Sequence, residues 1–311
     1  MRRFIHHSEL ARDSRFVRQD NAQATVLAKL PDDVNAVVEV FDRFAPMIER
    51  SVKGTAAEPL FEAYGPGFAL VTLNEPLRPG APAVETRLQL RMHGIYVGEL
   101  QALEGAGRSL WDFPDAPWEF KMNMARQCWD EARHVQIYEK LLEHAGAAIG
   151  DFPESTFLFE VSCADDPVLR VVGVNRCLEG LACDAFRSLI DYGRQVGDEI
   201  IEQAVDFVLA DELTHVRFGS DWVKEFTRDD PARAQRAAEF QRETDTRFSF
   251  GTRAVAREER IEAGFTEDEL RELDEILEKG PKRKTLVDAA LIIKDRHQAR
   301  QRGELVGPYG G

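Results

Sequence analysis

Apolar residues at Val34, Val37, Val38, Phe41, Phe44, Ala45 and Ile48 fall on one stripe of a 3.6-residue period. This predicts a packing helix that starts after Asp33 and breaks near Pro46. Residues 1–30 before it are polar and only weakly periodic, and residues 53–84 after it are rich in Gly and Pro and read as a connector. One apolar run in the connector, Phe68-Ala-Leu-Val-Thr-Leu73, has the length of a strand. Helical patterning then runs over 85–111 and 118–143, either side of the breaker cluster Phe113-Pro-Asp-Ala-Pro117. Gly146, Gly150 and Pro153 stop it, and it resumes after Pro167, over 168–192 and 198–226. The intervening connection is longer than the roughly two to eight residues that join neighbouring antiparallel helices, so it predicts a crossover between two hairpins. Past Asp229-Asp-Pro231 a polar helix is expected over 232–263, then a short helix opened by the capping box Thr266-Glu-Asp-Glu269, then a disordered tail over 303–311. The chain therefore reads as all-α, with an N-terminal extension (1–84), a four-helix bundle of two antiparallel hairpins (85–228) and C-terminal helices with a flexible tail (229–311).

Two of these helices carry the same word. Asp130-Glu-Ala-Arg-His134 returns 81 residues later as Asp211-Glu-Leu-Thr-His215. Residues three apart on a helix share a face, so each copy sets one carboxylate beside one imidazole. A single Glu-x-x-His is ordinary on an exposed helix; two copies fit a di-metal bundle, in which the other two helices each add one inward Glu. Glu99 lies 32 residues before Glu131, and Glu179 lies 33 before Glu212. Each pair straddles a turn, the second marked by Gly193-Arg-Gln-Val-Gly197, with arms of 16 and 16 or 16 and 17 residues. At 1.5 Å per residue both members of each pair lie about 24 Å from their turn and face each other across a hairpin. Glu104 would sit roughly 7 Å off level and is read as structural.

The candidate ligands are thus Glu99, Glu131, His134, Glu179, Glu212 and His215, four carboxylates and two imidazoles. That set suits two iron or manganese ions with open positions and disfavours zinc. Asp130 and Asp211 are placed to accept a hydrogen bond from the non-ligating nitrogen of a His across the bundle. Tyr96 and Cys128 each stand three residues before a metal Glu, and Cys183 four after one; core packing is expected of all three, with a supporting or redox role as the alternative. His93 lies about 120° around the helix from Glu99 and is read as structural, and Asn175 as a pocket residue.

The formal net charge of −15 counts against nucleic acid as a partner. Four cysteines without a C-x-x-C, behind a start (Met1-Arg-Arg-Phe-Ile-His-His7) that lacks an apolar leader, lead to an expectation of reduced thiols and a cytoplasmic location. No apolar run approaches the length of a membrane span.

The words Glu99-Leu-Gln-Ala-Leu-Glu104, Asp130-Glu-Ala-Arg-His134, Gly150-Asp-Phe-Pro153, Asp211-Glu-Leu-Thr-His-Val216 with Gly219 and Trp222, and Ala263-Gly-Phe-Thr266 resemble the ferritin-like di-iron carboxylate superfamily over roughly residues 85–275. Within it the chain looks most like an uncharacterised bacterial family related to tRNA-modifying di-iron hydroxylases. The resemblance implies the six ligands above, two iron ions or a manganese/iron pair, dioxygen as co-substrate, a small organic substrate and an external electron donor, and leaves a homodimer open. It also frames the alternatives: a ferroxidase, a di-iron N-oxygenase, or a non-catalytic helical protein. N-oxygenases of this type carry a further His one turn before the last metal Glu; here that position is Val208, which ranks carbon oxidation first.

Overall fold

The computed structural model describes residues 33–305 apart from 69, 72–75, 82, 153, 155, 250–253 and 280. The polar stretch 1–30 and residues 306–311 of the expected tail lie outside the described residues. Among the described residues every regular element is helical. Helix α1 (Val34–Val52) is capped by the Asp33 carboxylate, which accepts from the Ala36 N–H at 2.8 Å. It does not break at Pro46: that residue is exposed, so the ring bulk sits on the solvent side and the helix continues past the missing donor. A short helix α2 (Glu58–Tyr64) and a 3-10 turn (Gly65–Gly67) follow. The apolar run after them is helical, not extended, at Phe68, Leu70 and Val71, all buried; Ala69, Thr72 and Leu73 lie outside the described residues. A short run buried on every side carries no period that separates strand from helix.

Helices α3 (Val84–Asp112) and α4 (Trp118–His144) form the first hairpin. The crossover holds a one-turn helix, α5 (Phe157–Ser162). The second hairpin begins as one rod, α6 (Pro167–Val171), a π-helical segment (Val172–Leu178) and α7 (Glu179–Val196), and returns as α8 (Glu199–Thr227). Its turn is sharp because Gly197 takes the left-handed conformation (φ 73°) and Asp198 caps the next helix, accepting from the N–H groups of Ile200 and Ile201. The hairpins meet where α4 packs on α8 and α3 on the π segment.

Helix α9 (Pro231–Arg247) stops well short of residue 263, because Phe248 turns inward, fully buried against Phe157 with ring centroids 6.1 Å apart. Helix α10 (Arg257–Glu262) resumes the chain, and α11 (Glu267–Lys279) opens with the capping box: Glu269 N–H donates to Thr266 Oγ1 at 3.2 Å and Thr266 N–H to Glu269 Oε2 at 2.8 Å. Helix α12 (Pro281–Gln301) folds back on α1 and the 3-10 turn, tied by an Arg296–Asp42 ion pair of 2.7 Å. The first and last described helices thereby form one pad, and an apolar cluster runs from Val37 through Leu60, Met92, Leu189 and Val208 to Ile293. No helix among the described residues is long and apolar enough to cross a membrane.

Candidate metal centre

The four long rods bring Glu99, Glu131, His134, Glu179, Glu212 and His215 into one cluster, each no more than 3 % exposed. Their ligand atoms form two overlapping groups: Glu99, Glu131, His134 and Glu212, and Glu131, Glu179, Glu212 and His215, with the atoms of each group within 4.8 Å of one another. Glu131 and Glu212 belong to both and stand where bridging carboxylates would. His134 Nδ1 lies 3.1 Å from Glu131 Oε2, 3.1 Å from Glu212 Oε1 and 3.5 Å from Glu99 Oε2. His215 Nδ1 lies 3.1 Å from Glu131 Oε1 and 3.4 Å from Glu212 Oε2.

Both imidazoles turn Nδ1 inward and Nε2 outward, and the outward nitrogens meet the two aspartates crosswise. His215 Nε2 is 3.3 Å from Asp130 Oδ2, and His134 Nε2 is 3.3 Å from Asp211 Oδ2. A carboxylate on Nε2 favours the tautomer with its proton there and frees Nδ1 as a lone-pair donor. Two arginines hold the aspartates in turn. Arg133 Nη2 donates to Asp130 and, at 3.0 Å, to Asp211, while Arg126 Nε donates to Asp130 Oδ2 at 2.9 Å. Burial works against the Asp130 carboxylate, but His215, Arg133 and Arg126 keep it well below the usual carboxylate range.

The inner groups share charge unevenly. Burial first, then Glu212 and Glu131, pushes the Glu99 and Glu179 carboxyls well above their ordinary range. Burial also opposes ionisation of Glu131 and Glu212, yet His215 and His134 hold both below it. The imidazoles are buried too, but the facing carboxylates raise His134 and His215 toward the cation. Carried to completion, these directions would leave Glu99 and Glu179 neutral, Glu131 and Glu212 ionised and both imidazoles charged, a neutral cluster. Two divalent ions among four carboxylates and two neutral imidazoles would also be neutral, so the donor set fits a pair of ions in number and charge. Neither oxygen of Glu212 nor Nδ1 of His215 has a hydrogen-bond partner. An unpaired buried polar atom costs about 1–3 kcal/mol, and atoms aimed together at a shared point recover that cost from a cation.

Sequence reasoning missed two groups beside the cluster. Gln127, fully buried, donates from Nε2 to Glu179 Oε1 at 2.8 Å and accepts at Oε1 from Asn175 Nδ2 at 2.7 Å. Asn175 sits on the π segment, whose tight seat is cut by glycines. A Cβ on Gly173 would lie 2.0 Å from the Ser162 carbonyl oxygen, one on Gly219 2.7 Å from Asn175 Cβ, and one on Gly105 3.0 Å from Val174. Asn175 is buried and braces Gln127, and through it the Glu179 carboxyl. Gln127 stands one turn before Glu131, a spacing that points it inward; nothing in the residue pattern announces a π turn. The other missed group is Tyr138, one turn after His134 and wholly buried.

The remaining candidates lie outside the cluster. Cys128 is half-buried, its Sγ 3.9 Å from the Leu103 carbonyl of α3, and burial with Glu131 nearby pushes its thiol up to about 11, so it stays a neutral thiol. Tyr96 packs half-buried on the main core with its ring 6.3 Å from that of His93. His93 accepts from the Gly150 N–H at 3.3 Å and packs edge-on against Phe152. Cys183 is a buried core residue.

The chain belongs to a protein family described as a protein of unknown function, DUF455, whose family model matches residues 34–271. No curated protein and no solved structure matches it.

Proposed function

We propose that this chain is a di-metal oxidase or oxygenase of the ferritin-like carboxylate type, which uses dioxygen to oxidise a small organic substrate with electrons from an external donor. The supporting observation is the crossed arrangement of the two motifs. Each imidazole has its outer nitrogen on the aspartate of the other helix, and its inner nitrogen among carboxylate oxygens, of which both on Glu212 lack a hydrogen bond. In this reading Glu99 and His134 would hold one ion, Glu179 and His215 the other, and Glu131 and Glu212 would contribute to both. Bound as a ferrous pair or a manganese/iron pair, the metals supply the electrons that reduce dioxygen. The protein's own part is to fix the ligands through Asp130, Asp211, Arg126, Arg133 and Gln127, and to exclude water by burying all six. Val208, buried one turn before Glu212, puts an apolar wall where a further histidine would stand, which favours carbon oxidation over N-oxygenation.

Metal analysis and anomalous scattering at the iron and manganese edges test the reading. About two ions per chain are expected, with at least one lost in Glu131→Ala or His215→Ala. Anaerobic loading with ferrous iron followed by oxygen should then give a transient absorbance and a substrate-dependent product. Protein that stays empty after loading overturns the metal centre, and oxygen that merely deposits ferric mineral turns the assignment to a ferroxidase.

A further inference from the structure

The two halves of the cluster are related by the repeated motif, so equivalent positions can be compared directly, and they are not equivalent. One turn before the spanning Glu stands Gln127 in the first copy and Val208 in the second. One turn after the His stands Tyr138 in the first copy and Gly219 in the second. These differences sort by end. At the Glu179 and His215 end, the Gln127 amide lies against Glu179 Oε1 at 2.8 Å, Asn175 braces it, and Gly219 leaves room for Asn175. At that end Glu179 is held by a protein hydrogen bond. At the Glu99 and His134 end the corresponding wall is Val208, which offers none, and the Tyr138 hydroxyl is buried without a hydrogen-bond partner. The Tyr138 ring is backed by Phe186, with centroids 5.5 Å apart and an interplanar angle of 32°, so it is set in place from behind. A phenol keeps its proton at neutral pH, so the hydroxyl is a donor, and Glu99 and Glu212 lie close enough to act on it electrostatically.

We infer that the two-metal centre takes its small exogenous ligand, an oxygen-derived or anionic one, at the Glu99 and His134 end, and that the Tyr138 hydroxyl donates a hydrogen bond to it. The inference rests on the two-metal reading and adds the side from which the centre is open. Tyr138 is a positioning residue here: it holds a ligand and gives up neither proton nor electron. The unpaired hydroxyl gains a partner when the ligand arrives, whereas the Gln127 amide at the other end already has its partners.

Azide, added to iron-loaded and oxidised full-length protein, is the probe. Its affinity is read from the azide-to-iron charge-transfer absorbance, after metal content has been measured on the same samples. Tyr138→Phe, which keeps ring and volume, is expected to retain about two irons and to bind azide roughly ten- to a hundredfold more weakly, the effect of losing one hydrogen bond to a charged group. The azide stretch in the wild type should shift in D2O, and the shift should vanish in Tyr138→Phe. Equal azide affinity in the two proteins, or no azide binding by wild type with both irons present, overturns the inference alone. Wild type that takes up no iron overturns the metal reading and the inference with it. Should the variant not fold, the wild-type spectrum decides: absence of a D2O shift overturns the proposal.

Discussion

Asp184 on α7 and Glu212 on α8 are both carboxylates with no exposure to speak of, and the protein treats them in opposite ways. Asp184 is complete. Its Oδ1 accepts from Arg260 Nε at 3.1 Å and from the Ala256 N–H at 2.8 Å, and its Oδ2 from Arg260 Nη2 at 2.8 Å. Gly180 makes the room, since a Cβ there would stand 2.6 Å from Arg260 Nη1. Glu212 faces two imidazoles at 3.1 and 3.4 Å, yet both of its oxygens lack a hydrogen bond. A buried charge that has found all its partners ties α10 to α7 and does nothing else. One that has not is held in a costly state by the surrounding fold, which is how a site awaiting a ligand is built.

The contrast can be broken most severely at its structural member. Asp184→Ala leaves Arg260 charged and buried without its partner, and should lower stability by about 3–5 kcal/mol in a denaturant titration. If the variant unfolds like the wild type, the pair is not the tie described here. A smaller effect is expected at the outer rim of the cluster. Asp211→Asn keeps shape but weakens the grip on His134, and should reduce metal affinity by roughly 10- to 100-fold with little change in the unfolding midpoint of the metal-free protein. Unchanged metal affinity would place Asp211 among ordinary surface charges.

The third test uses pH and is the mildest. In the metal-free fold, Glu99, Glu179, His134 and His215 bind protons more tightly than in the unfolded chain. The folded state therefore holds more protons, and stability falls as pH rises above the ordinary Glu value of about 4.3, and further above the ordinary His value of about 6.5. Glu131 and Glu212 are shifted down, so their contribution is present above the ordinary carboxylate range and lost in acid. Metal uptake has the opposite sign to the first four, because ligands must be deprotonated. The metal-free protein should melt lower at pH 8 than at pH 6, while affinity for metal improves over the same range. Loading should release up to about four protons per chain, visible with an indicator dye in weak buffer. Uptake of two ions with no proton release would contradict the charge distribution described for the cluster.

The six clustered residues are those that the doubled motif and the level placement of Glu99 and Glu179 single out, because helical spacing converts directly into a shared face. The aspartates' crossed contacts follow from the same arithmetic. What spacing does not carry is whatever depends on neighbours far along the chain. Gln127 and Tyr138 satisfy the rule for inward residues, as do many core positions, and only their hydrogen-bond state distinguishes them. The helix expected over 232–263 ends early because Phe248 finds Phe157, a contact with no local signature. The run from Phe68 has the length of a strand yet is helical where described; a segment buried on all sides has no polar face to reveal its period.

A helix advances about 100° per residue, so one extra residue in a turn changes the phase of everything on one side of it relative to everything on the other. Upstream, Arg170 is buried and reaches Asp112 at 3.0 Å. Downstream, Glu179 must face the cluster and Asp184 must face Arg260. A regular α-helix through 172–178 could serve one group or the other. Val172–Leu178 acts as a phase shifter that lets a single rod serve both. Removing one of its residues would turn Arg170 by about 100° relative to Glu179, so that the Arg170–Asp112 pair and the inward Glu179 carboxyl could not both be kept.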